Sequence, residues 1–181
     1  MDRDEAMRLV NENVKTKNLR KHMIATEACM CALAGRLGEN TDDWALAGLL
    51  HDLDYDQTVN DFPRHGFVTE QILEGHAVSR EIVSAIKAHT GNTEISSKMD
   101  LALYAVDPLT GLLVAAALMH PTKKLASVDV TFVMNRFKEK RFAAGANRDQ
   151  IRKCEELGLS LEEFVGVCVT AMQGVADELG L

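Results

Sequence analysis

The sequence contains few of the residues typical of disulfide-stabilised, strand-rich or exported proteins. Only four cysteines, three prolines and 5% aromatic residues occur in the 181 residues. No Cys-x-x-Cys pair is present, and each cysteine lies in an apolar stretch, which indicates buried thiols in a reducing compartment. The first residues are charged and contain no apolar signal core, so we expect a cytoplasmic protein.

Long apolar runs and an excess of positive charge are also missing. The longest apolar run, over residues 111–119, is far shorter than the roughly 20 residues that a membrane span requires. The net charge of −7 argues against a nucleic acid polymer as partner, because proteins that bind one need basic surfaces. We therefore expect neither a membrane nor a nucleic acid partner. The charge still allows a small phosphorylated substrate held by local lysine or arginine.

Helical spacing is what the sequence does show. Hydrophobic residues make up 46% of the chain and recur at three- and four-residue steps, and no segment alternates convincingly as a strand would. We predict an all-α domain of roughly nine helices, with residues 53–64 as a loop. Thr41 is expected to cap the third helix, and Pro108 is expected to kink or break a helix at Asp107. The predicted helices run over about 4–13, 18–37, 41–52, 65–74, 79–91, 97–120, 127–140, 147–158 and 160–179.

Histidines and aspartates interrupt these apolar segments in a fixed order. A single histidine on an apolar face is usually a core residue, and an aspartate before proline usually belongs to a turn. Six such residues together are better explained by a metal site, because imidazole and carboxylate are ligands of Fe, Mn and Zn. The mixed donors without thiolate favour Fe or Mn over Zn, Mg or Ni. The six candidate ligands are His22, His51, Asp52, His65, His89 and Asp107.

His51 and Asp52 are neighbours in the chain, which restricts how they bind metal. Adjacent side chains lie about 100° apart around a helix axis. They converge on one ion only near a helix end, or Asp52 bridges two ions through its two oxygens.

The order of His22, His51-Asp52 and Asp107 resembles the HD superfamily of metal-dependent phosphohydrolases, over roughly residues 18–120. The additional pair His65 and His89 is similar to the binuclear branch of that superfamily. This branch includes HD-GYP cyclic dinucleotide phosphodiesterases and symmetrical diadenosine tetraphosphate hydrolases. The resemblance implies two divalent ions that share Asp52. The first would be held by His22, His51, Asp52 and Asp107, and the second by Asp52, His65 and His89.

The sequence also departs from the pattern of many relatives. Where the HDIG type continues the pair as Ile-Gly-Lys, this chain has Leu53-Asp54-Tyr55, and the Gly-Tyr-Pro signature is absent. No lysine therefore follows the pair to face a substrate phosphate. Arg64, beside His65, is by position the best candidate to bind phosphate, with a solvated surface charge as the alternative. Asp54 is a candidate general base or a partner of a ligand, with a plain loop acid as the alternative.

The resemblance implies an HD-domain bundle over residues 1–125 and a C-terminal helical extension over 126–181 packed on it. It also implies hydrolysis of a small phosphorylated metabolite, with a nucleotide favoured, in which Asp52 is catalytic through the metals. The alternatives are a di-iron oxygenase, which occurs in the same superfamily with the same six ligands, and a catalytically silent regulatory module. Methionine and leucine on several helix faces leave a homodimer open.

Overall fold

The computed structural model describes residues 1–181 and consists of helices and connecting loops, without a β-strand. The predicted all-α architecture is confirmed. Short one-turn segments raise the number of helices above the roughly nine expected. The α-helices are α1 (Arg3–Asn13), α2 (Lys17–Leu37), α3 (Thr41–Leu50), α4 (Tyr55–Thr58), α5 (Phe67–Ile72), α6 (Arg80–His89), α7 (Lys98–Met119), α8 (Val130–Phe137), α9 (Arg148–Arg152), α10 (Leu161–Gly174) and α11 (Ala176–Leu179). Turns of 3-10 helix cover Phe62–Arg64, Leu125–Ser127 and Lys153–Leu157.

Most helices begin where a side chain can accept hydrogen bonds from the free N–H groups of the first turn. Ser79, Ser97, Asn147 and Ser160 cap α6, α7, α9 and α10 in this way, as their positions in the sequence predict. The predicted cap at Thr41 is wrong. The side chain of Asn40 accepts from the N–H groups of Asp42 and Asp43, and Thr41 is the first residue of α3.

Three predicted boundaries differ from the structure. Residues 53–64 are not an open loop, because they contain α4 and the 3-10 turn Phe62–Arg64. The fourth predicted helix begins at Phe67, so His65 precedes it instead of starting it. The helix predicted from residue 127 begins only after Asp129, whose side chain accepts from the N–H of Phe132.

Helix α7 passes through Pro108 without a break, so a break at Asp107 is wrong, while the alternative of a kink there stays a prediction. Proline has no N–H, and the carbonyl of Tyr104, four residues earlier, therefore loses its helical donor. The side chain of Gln150 replaces that donor, with Nε2 at 2.7 Å from the Tyr104 oxygen. A residue 46 positions away in the chain thus satisfies the carbonyl and allows the helix to continue.

The core lies between α2, α7 and α10, and a single cluster of 43 buried hydrophobic residues holds both halves of the chain together. Met23 of α2, Leu103 of α7 and Phe164 of α10 are all fully buried in it. Helix α7 is long and apolar enough to cross a membrane, but 61% of that stretch is buried inside the protein, as in the core helix of a globular domain.

Helices α2 and α3 approach each other closely through their backbones at Gly48. A Cβ atom at this position would lie 2.7 Å from the carbonyl oxygen of Thr26 and 2.8 Å from the nitrogen of Glu27. Both are main-chain atoms and cannot turn away. The contact therefore sets the separation of α2 from α3, and with it the separation of His22 from His51.

Gly48→Ala should destabilise the protein by about 2 kcal/mol, because the added methyl group forces two backbones apart. Gly111→Ala is the matched control on α7. Nothing lies within 4 Å of a Cβ there, so the same change should stabilise the protein by about 0.5–1 kcal/mol through helix propensity. Urea unfolding with a chelator present measures both. Equal effects of the two substitutions would contradict the close approach.

Candidate metal centre

The six candidate ligands come from five separate parts of the chain and lie together at one end of the bundle. His22 is on α2, and Asp107 is near the middle of α7. His51 and Asp52 follow the last turn of α3, while His89 is the last residue of α6. His51, Asp52 and His89 thus reach the common space from the ends of their helices, and His22 and Asp107 reach it from the sides of α2 and α7.

The two oxygens of Asp52 face different pairs of histidines. Oδ2 lies 3.6 Å from Nε2 of His22 and 3.4 Å from Nε2 of His51. Oδ1 lies 3.2 Å from Nε2 of His65 and 3.5 Å from Nε2 of His89. One carboxylate therefore stands between two pairs of imidazole nitrogens, with one oxygen directed at each pair.

Asp107 adds a second carboxylate on the His22 side. Its Oδ1 is 3.0 Å from Nε2 of His22 and 3.8 Å from Nε2 of His51. Two sets of donors have ligand atoms that all lie within 4.8 Å of one another: His22, His51 and Asp107, and His51, Asp52 and His89. His51 belongs to both sets, because it lies between the other imidazoles. This cluster can hold a metal ion.

Each imidazole is fixed through the nitrogen that faces away from the cluster. Nδ1 of His51 bonds to the carbonyl of Gly48 at 2.7 Å, and Nδ1 of His89 bonds to the carbonyl of Ile86. A carbonyl only accepts, so Nδ1 carries the proton in both rings, and in the neutral form Nε2 presents its lone pair to the cluster. Donation from Nδ1 to a carbonyl or carboxylate is typical of metal-binding histidines.

The other two histidines have side-chain partners. Nδ1 of His22 is 2.9 Å from the hydroxyl oxygen of Thr110, and that hydroxyl also lies 3.0 Å from the carbonyl of Asp107, to which it donates. Nδ1 of His65 is 2.7 Å from Oδ1 of Asp54. All four imidazoles therefore direct Nε2 towards Asp52, and the arrangement fits a divalent cation.

Asp54 orients His65 and lies outside the ring of ligands. Its side chain is fully buried, and Oδ2 accepts the N–H groups of Gly66 at 2.9 Å and Thr69 at 3.0 Å. Burial acts to raise the pKa of Asp54, but the bonds from His65 and from these two N–H groups outweigh it and lower the pKa. The alternative of a plain loop acid is wrong, because Asp54 is buried and both of its carboxylate oxygens accept hydrogen bonds from His65 and from the backbone.

Charge and burial act against each other in the two carboxylates of the cluster. Burial acts to raise the pKa of Asp52, but the charge of His51 and bonds from His51, His65 and His89 hold it well below its usual range. The pKa of Asp107 is lowered in the same way, by His22 above all. Both groups are therefore carboxylates at neutral pH.

The histidines show the reverse effect. Burial acts to lower the pKa of His51, but the charge of Asp52 and its hydrogen bond outweigh burial and raise it. For His65, burial is outweighed by Asp52 and Asp54, which raise the pKa to about 9. A cation at this site would therefore displace protons when it binds.

A cavity of about 360 Å³ opens onto the cluster. Five of the six candidate ligands line it, all except His51, and the rest of its wall is apolar or uncharged. It contains no lysine or arginine. The lining residues are Leu19, His22, Asp52, Tyr55, Phe62, His65, His89, Thr90, Asp107 and Gln150.

Arg64 does not line this cavity. Its side chain is 64% exposed and its nearest acid is Asp61, with Nη1 and Oδ2 3.7 Å apart. Phosphate binding by Arg64 stays a prediction. The two histidines outside the ordered set lie away from the site. His76 pairs with Glu5 at 3.0 Å, and His120 ends α7.

Two residues that support the site have no direct signal in the sequence. Thr110 follows Asp107 by one helical turn, a spacing that places both on one face of α7. Gln150 comes from the C-terminal extension. Its only signal in the sequence is indirect: Pro108 leaves the carbonyl of Tyr104 without a donor, so some other group must supply one.

A family model for the HD domain matches residues 19–118 of this chain. Neither the curated proteins nor the solved structures include a significant match to the sequence.

The metal-free protein should lose stability as the pH rises from about 6.5 to about 9. The pKa of His65 is about 9 in the folded protein against 6.5 for a free histidine, so folding favours the protonated form. Its contribution is complete below pH 6.5 and is lost as the pH passes 9. Asp54→Asn removes one of the two carboxylates beside His65 and should flatten this slope. Urea unfolding at several pH values measures both proteins, and equal slopes would refute the assignment.

Proposed function

This chain belongs to the HD domain family, and we propose that it is a phosphohydrolase that uses two divalent metal ions to release phosphate from a small phosphorylated compound. One observation carries the proposal. The Asp52 carboxylate directs one oxygen at His22 and His51 and the other at His65 and His89. A carboxylate between two pairs of imidazoles has the form of a bridging ligand.

The first ion would be held by His22, His51, Asp52 and Asp107, and the second by Asp52, His65 and His89. Fe or Mn suits these mixed nitrogen and oxygen donors, which include no thiolate. Two such ions polarise phosphoryl oxygens and supply a hydroxide nucleophile at neutral pH.

The residues of the chain would supply position and charge. Thr110 and Asp54 hold His22 and His65 in the orientation that directs Nε2 inward. Asp52 and Asp107 stay ionised and need no proton role, because their pKa values lie below the usual range. Leu19 and Phe62 form an apolar part of the cavity wall.

A di-iron oxygenase is the second candidate, and one observation favours it. The cavity wall contains no lysine or arginine to bind a phosphate beyond the metals. An oxygenase would use the same ligands with a less charged substrate. A catalytically silent module is the weaker alternative, since all six ligands are present and all four imidazoles are held in a metal-binding orientation.

Metal content should depend on Asp52 and His65 in different ways. Asp52→Ala removes the carboxylate shared by both sites, so both ions should be lost or bound at least about tenfold more weakly. His65→Ala should lose one ion and keep the other. His76→Ala is the control, because this histidine pairs with Glu5 away from the site. Elemental analysis of protein purified without chelator gives the counts. Full metal content in Asp52→Ala would exclude the bridging role.

Phosphate release should require the metal. Protein loaded with Mn(II) or Fe(II) under anaerobic conditions should release phosphate from members of a panel of nucleotides and sugar phosphates. Chelation or Asp52→Ala should reduce the rate by at least about a hundredfold, and His76→Ala should leave it unchanged. Absence of phosphate release across the panel, together with substrate-dependent oxygen uptake in air, would replace the hydrolase with the oxygenase.

A further inference from the structure

The charge of the cavity limits how many phosphates it can hold. With metal bound, the histidines are neutral, so Asp52 and Asp107 are the ionised side chains among the lining residues, and no lysine or arginine accompanies them. Two carboxylates cancel about half the charge of two divalent ions, which leaves an excess that one phosphoryl dianion neutralises. A second phosphate would have no cation to bind and would lie among carboxylates. The cavity therefore suits one phosphoryl group and an uncharged remainder.

The wall of the cavity has polar groups that can bind such a remainder. The hydroxyl of Thr90 is already engaged, since it donates to the carbonyl of Lys87 and accepts from the N–H of Asn92. Gln150 is different. Its Nε2 donates to the carbonyl of Tyr104, and its Oε1 has no donor in the protein. The free Oε1 is an acceptor in the lining of the cavity.

Gln150 is held firmly enough to position a ligand. Its own N–H bonds to the capping side chain of Asn147 at the start of α9. The neighbouring Arg148 donates to the carbonyls of Ala143 at 2.6 Å and Ala146 at 2.7 Å, and so closes the loop that precedes the helix. The bond from Nε2 to Tyr104 fixes the amide group three residues from the ligand Asp107. Both the backbone and the side chain of Gln150 are therefore fixed next to the centre.

We propose that the C-terminal extension completes the substrate pocket through Gln150, whose Oε1 accepts a hydrogen bond from a hydroxyl or amide of an uncharged organic group carrying one phosphoryl group. The matched segment ends at residue 118, so Gln150 lies outside the HD domain itself. This inference rests on the proposed phosphohydrolase function. It makes Gln150 a specificity residue, and it disfavours bisphosphates and nucleoside triphosphates as substrates.

The test compares two methionine substitutions that keep the length of the side chain. Gln150→Met removes the amide from the cavity. Gln173→Met is the matched control, because Gln173 also lies in the extension and also donates to main-chain carbonyls, those of Leu125 and Val128 at 3.1 Å. Mn(II)-loaded proteins are titrated calorimetrically in the cold with four probes, and unfolding temperatures are recorded. The probes are inorganic phosphate, ribose 5-phosphate, fructose 6-phosphate and fructose 1,6-bisphosphate.

We expect at least one sugar monophosphate to bind wild type more tightly than inorganic phosphate does. Gln150→Met should weaken that binding about five- to tenfold, the value of one hydrogen bond, and change phosphate affinity less than twofold. Gln173→Met should leave all affinities unchanged, and the bisphosphate should bind less tightly than the monophosphate.

Four results would overturn the inference alone. The first is a bisphosphate that binds more tightly than the monophosphates, and the second is that no sugar monophosphate binds more tightly than inorganic phosphate. The third is that Gln150→Met weakens the binding of phosphate and of sugar phosphate equally. The fourth is that Gln150→Met changes the unfolding temperature and none of the affinities. Failure of inorganic phosphate to bind the metal-loaded wild type would instead reject the proposed phosphohydrolase, and the inference with it.

Discussion

A buried carboxylate surrounded by four imidazoles is the constraint on which the rest of this structure depends. Asp52 is 5% exposed, and an ionised carboxylate at that depth is costly unless positive charge lies beside it. In the metal-free protein, protons on His51 and His65 supply this charge, and Asp52 together with Asp54 raises the pKa of His65 to about 9. A divalent cation bound here would take the place of those protons. Cations and protons would then compete for one carboxylate.

Two helix ends orient their histidines towards this carboxylate by the same hydrogen bond. His51 follows α3 and His89 ends α6, and each bonds through Nδ1 to the carbonyl three residues earlier. Carbonyls in the last turn of a helix have no N–H partner within the helix. The imidazole Nδ1 thus donates to a carbonyl that would otherwise have no donor within the helix, and its Nε2 is directed away from the helix. One bond both finishes the helix and orients a ligand.

Much of the fold and the ligand set could be predicted from the sequence, because both depend on local information. Helix caps such as Ser97 act within one turn, and the order of histidines and aspartates along the apolar helices can be read from the sequence itself. The failures involve contacts distant in the chain. The break predicted at Pro108 depends on local geometry alone, and Gln150 overrides it by donating to Tyr104.

The candidate substrate residues were harder to predict than the ligands for the same reason. Arg64 stands next to His65 in the sequence, but neighbours in sequence need not share a direction, and the side chain of Arg64 is exposed to solvent. The sequence alone allows three roles for Asp54, because only the fold shows that both of its oxygens accept hydrogen bonds, from His65, Gly66 and Thr69. The wall of the cavity is assembled from segments whose proximity no local pattern encodes.

The backbone contact at Gly48 has a consequence for which ions the site accepts. Because α2 and α3 touch through main-chain atoms, the spacing of the first two histidines is set during folding, before any ion arrives. The entropy lost in bringing these ligands together is then a cost of folding and not of coordination, as in any preorganised receptor. A distance between ligands that is fixed in this way would adjust little to the radius of a bound ion. Selection among cations of similar charge would then depend on the packing of two helices as much as on the ligands themselves.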